Sequence, residues 1–172
     1  MDTRMVSEMY KINDYVSYGM QGVCQVCDII ERMTGDVSVS YYVLSPVYGN
    51  PVSVYVPIDN ELLTSRIHPL LSAAQIQALA DAVPELPNIW VPEDNHRKEA
   101  FKEILLSGER ERVGALIKTL YQHRAAQKAR GKKLHLTDER YLREAEKILF
   151  CEIALVTGKT FEQVAEEFVG MM

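Results

Sequence analysis

The 172-residue sequence predicts an α+β protein, a small antiparallel β-barrel followed by an all-α domain. Two observations carry the prediction. From Tyr10 to Pro57 short runs of apolar and polar residues alternate between glycine-bearing turns. After Pro57 the apolar period lengthens to about 3.6 residues, the spacing of one helix face, and no further strand pattern appears. The expected boundaries are a flexible extension over residues 1–8, the barrel over residues 9–60 and the helical domain over residues 61–172.

The strand signals begin at Tyr15, Val16 and Tyr18, followed by Gly19 and Gly22, the run Val23 to Ile30 and the turn Gly35-Asp36. Val37 to Leu44 starts in strict alternation and is rich in β-branched and aromatic residues. Tyr48-Gly49-Asn50-Pro51 supplies the next turn, and Val52 to Val56 alternates again. Four or five short strands in such a stretch would leave two bare edges as an open sheet, so closure into an SH3-like or Tudor-like barrel is expected.

In the second half Ser72-Ala73-Ala74-Gln75 has the form of a capping box and opens a helix to about Ala82, which Pro84 and Pro87 interrupt before Trp90 and Pro92. Asp94 is placed to cap the next helix, with Phe101, Ile104 and Leu105 inward and Gly108 as its stop. Glu109 to Lys133 follows as the helix around which the domain is organised. Val113, Leu116, Ile117, Leu120 and Tyr121 form its buried face, whereas from His123 onward Arg124, Lys128, Arg130, Lys132 and Lys133 accumulate with no acid before Asp138. Such a run is either a helix end favoured by the macrodipole or a surface for a negative partner, and an excess of 24 acidic over 19 basic residues in the chain makes the local imbalance informative. Thr137 to Glu139 restarts a helix with Leu142, Ala145, Leu149, Ile153 and Val156 buried, and Gly158 ends it. Thr160 to Gln163 is a second capping box, starting a terminal helix with Phe161, Val164 and Phe168 inward.

Catalysis has no visible home. Cys24 and Cys27 have the spacing of a redox or zinc pair but fall in a strand pattern, where residues three apart face opposite sides, and Cys151 gives no second pair. His68, His96, His123 and His135 are scattered, without a metal or nucleotide motif around them. The expectation is a non-enzyme without cofactor or metal. No apolar run reaches the roughly 18–20 residues of a membrane span, and MDTRMVSEMYK lacks the apolar core of a signal peptide, so no membrane association and a cytoplasmic, nucleoid-associated location are expected.

Taken in order, YKINDYVSYGMQGVCQV, YYVL, VSVYVP, SGERERVGALIKTLY, the basic segment and LTDERYLREAEKILFCEIAL resemble the CarD/CdnL family of bacterial transcription regulators from Met9 to Phe168. The resemblance implies a Tudor-like domain that docks on the RNA polymerase β subunit. It also implies a helical domain that touches promoter DNA at the upstream edge of the melted region and stabilises the open complex. A monomer is expected. The family's polymerase-contacting basic residue matches Arg32, and its second basic contact, in the strand before Val56-Pro57, is here Tyr55. Its DNA-contacting basic residues find counterparts in His96, Arg97, Lys98, Arg124, Lys128, Arg130, Lys132, Lys133 and Arg140. These would neutralise phosphates without reading bases. The family's tryptophan wedge in the minor groove matches Trp90 only with a shift: counting back from Leu106-Ser107-Gly108 leads to Asp94, four residues later. Two readings of Trp90 stay open, the wedge and a hydrophobic anchor on the helical domain. The alternative to the whole is a protein-protein adaptor that does not bind DNA.

Overall fold

The computed structural model describes residues 9–172. The extension expected over residues 1–8 lies outside the described residues. In chain order the elements are β1 (Tyr15–Tyr18), a 3-10 turn (Gly19–Gln21), β2 (Gly22–Thr34), β3 (Val37–Pro46), β4 (Val54–Pro57), a one-turn helix α1 (Glu61–Thr64) and β5 (Ile67–Pro69). Then come α2 (Ala73–Ala82), a 3-10 turn (Val83–Glu85), α3 (Asp94–Ser107), α4 (Arg110–Ala129), α5 (Leu136–Thr157) and α6 (Phe161–Met171).

The N-terminal unit is a five-stranded antiparallel sheet of order β4-β3-β2-β1-β5. It corrects the expected barrel, because β4 and β5 stay at the two edges and do not pair. The chain between them covers the gap, with Ile58 2% exposed and Leu63 packed on a core of Val16, Cys24, Val26, Tyr42, Leu44, Val56 and Ile67. β5 also corrects the expectation of no strand after Pro57. Its register, Val16 opposite Pro69 through Tyr18 opposite Ile67, extends the sheet past residue 60. A bulge between Val26 and Asp28 shifts the alternation of β2, leaving Cys24 buried and Cys27 exposed.

The sheet is joined to the helices by the turn Gly19–Gln21. Gly19 has φ +42°, and a Cβ there would lie 2.8 Å from the Leu106 carbonyl oxygen, so this approach requires glycine. Met20 beside it packs against the helical core. At the same seam His68 Nε2 lies 2.8 Å from the Ser107 carbonyl; a carbonyl only accepts, so this nitrogen donates. Glu152, fully buried on α5, accepts from Arg110 Nε at 2.9 Å and from the Leu71 N–H at 2.8 Å, while Arg110 Nη2 also donates to the Pro69 carbonyl at 2.6 Å. The buried Glu152 carboxylate is therefore paired with a guanidinium that reaches the surface.

The helix boundaries follow local chemistry. Ser72 with Gln75 and Thr160 with Gln163 form the two capping boxes, and Gly108 and Gly158 are left-handed C-caps. α3 differs by one residue from the expected start, since Glu93 rather than Asp94 is its N-cap and accepts from the Asn95 and His96 N–H groups. α4 lies at the centre of the bundle, with every residue from Val113 to Tyr121 buried, Lys118 and Thr119 included. Lys118 Nζ donates to the carbonyls of Val83, Pro84 and Leu86 at 2.8–3.1 Å, which ties the turn after α2 to α4. The helix ends in a Schellman arrangement: the Gly131 N–H meets the Lys128 carbonyl and the Lys132 N–H meets the Gln127 carbonyl.

Candidate functional site

Two surfaces gather the residues singled out from the sequence. The first is the β4 side of the sheet. Arg32 on β2 faces Val39 on β3, and Tyr55 on β4 faces Val43 on β3. Since side chains alternate along β3, both stand on the same sheet face. The Arg32 guanidinium carbon lies 4.8 Å from the centroid of the Tyr55 ring, a cation–π contact between two exposed side chains. Beyond Tyr55 the β4 edge has no partner strand among the described residues, and Val52 just before it is 61% exposed. The other edge is different. β5 ends in Pro69, whose carbonyl is occupied by Arg110, and His68 is tied to α3. The free main-chain template is therefore at β4.

The second surface is one end of the helical bundle, where the first turns of α3 and α5 meet the C-terminal half of α4. Arg97 on α3 holds it together. It is 4% exposed, and its Nε and Nη2 donate to the two carboxylate oxygens of Asp138 on α5 at 2.9 and 3.1 Å. Nη1 donates to the Val91 carbonyl at 3.1 Å, and Asp94 pairs with Nη2 at 2.8 Å. Burial works against the charged guanidinium, yet Asp138 and Asp94 outweigh it and the net shift of its pKa is upward. This corrects the expectation for Arg97: with every donor direction inside the protein, it is unavailable to phosphates.

Trp90 is half-buried beside it. Its ring stacks on His123 at 3.6 Å between centroids with planes 18° apart, meets Phe101 edge-on, and lies 4.4 Å from the Arg97 guanidinium. The chain before it is tied to α4 as well, the Ile89 backbone N–H donating to Thr119 Oγ1 and the Asn88 side-chain Nδ2 to Gln122 Oε1. These contacts hold the half-buried ring against α3 and α4. His123, which was not singled out as a site residue, sits in the same cluster. Burial lowers its pKa, Arg97, His135 and Arg130 push it further down, and Asp138 opposes them. The Trp90–His123 pairing joins positions 33 apart, so no local spacing announces it.

The remaining basic residues are on the outside of this end. Arg124, Lys128, Arg130, Lys132, Lys133, Arg140 and, on α3, Lys98 are exposed, and none has an acidic partner within ion-pair distance among the described residues. Arg124 lies over the Tyr121 ring at 4.8 Å. His96 is exposed but paired with Glu93 at 3.1 Å. The nearby acids are otherwise engaged: Asp138 is buried against Arg97, and Glu139 pairs with Arg143 at 3.3 Å. Glu146, beside Tyr121, faces Arg124 electrostatically, while Lys98, Lys128, Arg130, Lys132, Lys133 and Arg140 stand without an ion-pair partner among the described residues, over a buried, satisfied ion pair. Among the described residues no helix is long and apolar enough to cross a membrane, and no cluster of His, Cys, Asp or Glu could hold a metal ion.

No curated protein matches the chain. Residues 10–69 match the family model described as the CarD-like/TRCF RID domain, a span that covers all five strands and ends at the last residue of β5. The five-stranded sheet is therefore a CarD-like/TRCF RID domain, and this match over residues 10–69 supports a CarD-like relationship for the chain.

Proposed function

We propose that this protein regulates transcription by docking on the RNA polymerase β subunit through β4 and laying the basic end of its helical bundle on promoter DNA, where it stabilises the open complex. The reading divides the labour between an N-terminal polymerase-binding unit and a C-terminal DNA-binding unit. The observation that carries it is the β4 edge, unpaired among the described residues and flanked by Arg32 and Tyr55, inside the matched domain. An exposed strand edge can extend into a partner's sheet by main-chain hydrogen bonds, with neighbouring side chains supplying specificity. At the other end, unpaired Lys and Arg side chains fit phosphates and carry no base code, so binding should be weak in sequence preference.

Retention of the full chain on immobilised β subunit tests the docking half. Arg32→Glu should weaken retention by about tenfold, the scale of one good interface contact, with an unchanged circular dichroism spectrum. Equal retention of the folded variant removes Arg32 from the interface. The whole-chain charge of −5 favours a second reading, an adaptor that binds proteins alone. DNA binding that falls steeply with salt decides against that adaptor.

A further inference from the structure

Among the described residues the chain passes from the sheet to the helical bundle once, between Pro69 at the end of β5 and Ala73 at the start of α2. A single short crossing is where two units would hinge. Here it is clamped from both sides. Arg110 Nη2 donates to the Pro69 carbonyl at 2.6 Å, and Glu152 Oε2 accepts from the Leu71 N–H at 2.8 Å, so the main chain on each side of Leu70 is held by a charged side chain of the bundle. The two charges also hold each other, Arg110 Nε and Nη2 donating to the Glu152 carboxylate at 2.9 and 3.2 Å. Glu152 is fully buried on α5, the helix whose first turn carries Asp138 at the basic end. From Asp138 to Glu152 this helix rises about 21 Å. Between them it runs close to the sheet, where a Cβ on Gly22 of β2 would stand 3.5 Å from Ile148 Cα. One helix thus carries both the tie to the basic end and the tie to the hinge.

We propose that Arg110 is a positioning residue: it locks the hinge at Leu70 and so holds the β4 edge and the basic end of the bundle at one separation and one angle. The inference rests on the reading in which those two surfaces bind polymerase and DNA together. A protein that grips two partners at once gains from a fixed span, because the second contact then forms at high effective concentration, and a loose joint dilutes it. Removing the guanidinium leaves the buried Glu152 carboxylate without its counter-ion. That carboxylate regains water when the sheet swings away from α5, so the cost falls on the hinge. Arg110 itself belongs to neither binding surface. It opens α4, about 27 Å along the axis from Lys128, and it borders β5 rather than β4.

The test uses the full chain, spin-labelled at the exposed Cys27 of β2 and, through Val169→Cys, at an exposed position of α6, with Cys151→Ser to keep the labelling to two sites. With Arg110 in place the distance between the labels should be single and narrow. Arg110→Gln should broaden it and shorten the lifetime of the open promoter complex by about tenfold, while retention on the β subunit and affinity for duplex DNA each stay within about twofold. A purely structural loss would lower all three together. Arg110→Lys, which keeps the charge, should recover most of the lifetime. If Arg110→Gln melts well below the parent, His68→Ala decides by the same readings, since it removes the donor to the Ser107 carbonyl at the same seam without stranding a charge. A distance that stays narrow, or one that broadens while the lifetime is kept, overturns the positioning role, and the two separate bindings then leave the two-module reading standing. A parent protein that fails to bind the β subunit or duplex DNA overturns that reading and the inference with it.

Discussion

Arg97 and Lys132 belong to the same end of the helical bundle, yet they are in opposite conditions. Arg97 is 4% exposed and has Asp138, Asp94 and the Val91 carbonyl as partners, whereas Lys132 is exposed and has no acidic partner among the described residues. The difference teaches that positive charge in a sequence is two populations. One is spent inside, where an unpaired charge would be costly, and the other is left at the surface, where a ligand can use it. Only partners and burial tell them apart.

The largest effect should come from breaking the inner member. Arg97→Ala leaves the Asp138 carboxylate buried without its counter-ion, a loss of about 3–5 kcal/mol in urea unfolding. Lys132→Ala combined with Lys133→Ala should change stability by no more than about 0.5 kcal/mol, as surface changes do. In DNA binding the order reverses, and the lysine pair should flatten the log–log salt slope by about 1.8, at 0.9 for each lost phosphate contact. If Arg97→Ala kept its stability and flattened the slope instead, the division between the two populations would be wrong.

Trp90 sharpens the same comparison, because it lies between the inner and outer sets. Its ring is half-buried, so Trp90→Ala should cost roughly 3 kcal/mol, the low end for a large aromatic side chain. Open-complex lifetime should fall only as the folded fraction falls. A variant that melts normally but loses open-complex lifetime would return the ring to the DNA.

Local rules were readable wherever the determinant is local. The capping boxes at Ser72 and Thr160 and the glycine stops at Gly108 and Gly158 are each written within a few residues, and they stand where the sequence places them. β5 escaped because Ile67–Pro69 is too short to show an alternation, and it is a strand only because β1 offers it a partner. The open sheet escaped for a related reason, since strand signals do not say that Ile58 and Leu63 will fill the place of a closing hydrogen-bond ladder. Among the site residues, Arg97 stands in Asp94-Asn95-His96-Arg97-Lys98-Glu99, which reads as a solvated helix start. Its burial depends on Asp138, 41 positions away. Arg32 and Tyr55 were legible one by one, while their contact across β3 needed the register of two strand pairs.

The smallest expected effect concerns pH and again separates inside from outside. His123 stacks on Trp90, and the charged groups described around it are Arg97, Arg130, His135 and Asp138. Burial first, then the cations, lower its pKa below the ordinary 6.5, against the pull of Asp138. The unfolded chain therefore binds this proton more readily than the folded one. The stability linked to His123 is full above the unfolded value near 6.5 and is lost as pH falls through the depressed folded value. His123→Gln removes the titration, so the difference in unfolding free energy between wild type and variant should be level above neutrality and shift toward the variant in acid. Duplex DNA should oppose this, since phosphates beside Arg130 and His135 stabilise an imidazolium nearby and raise its pKa. Following the imidazole by NMR with and without DNA reads that movement directly. An imidazole that titrates at its ordinary value in the free protein would mean that the Trp90 stack is open to water, and the inner set would then end at Arg97.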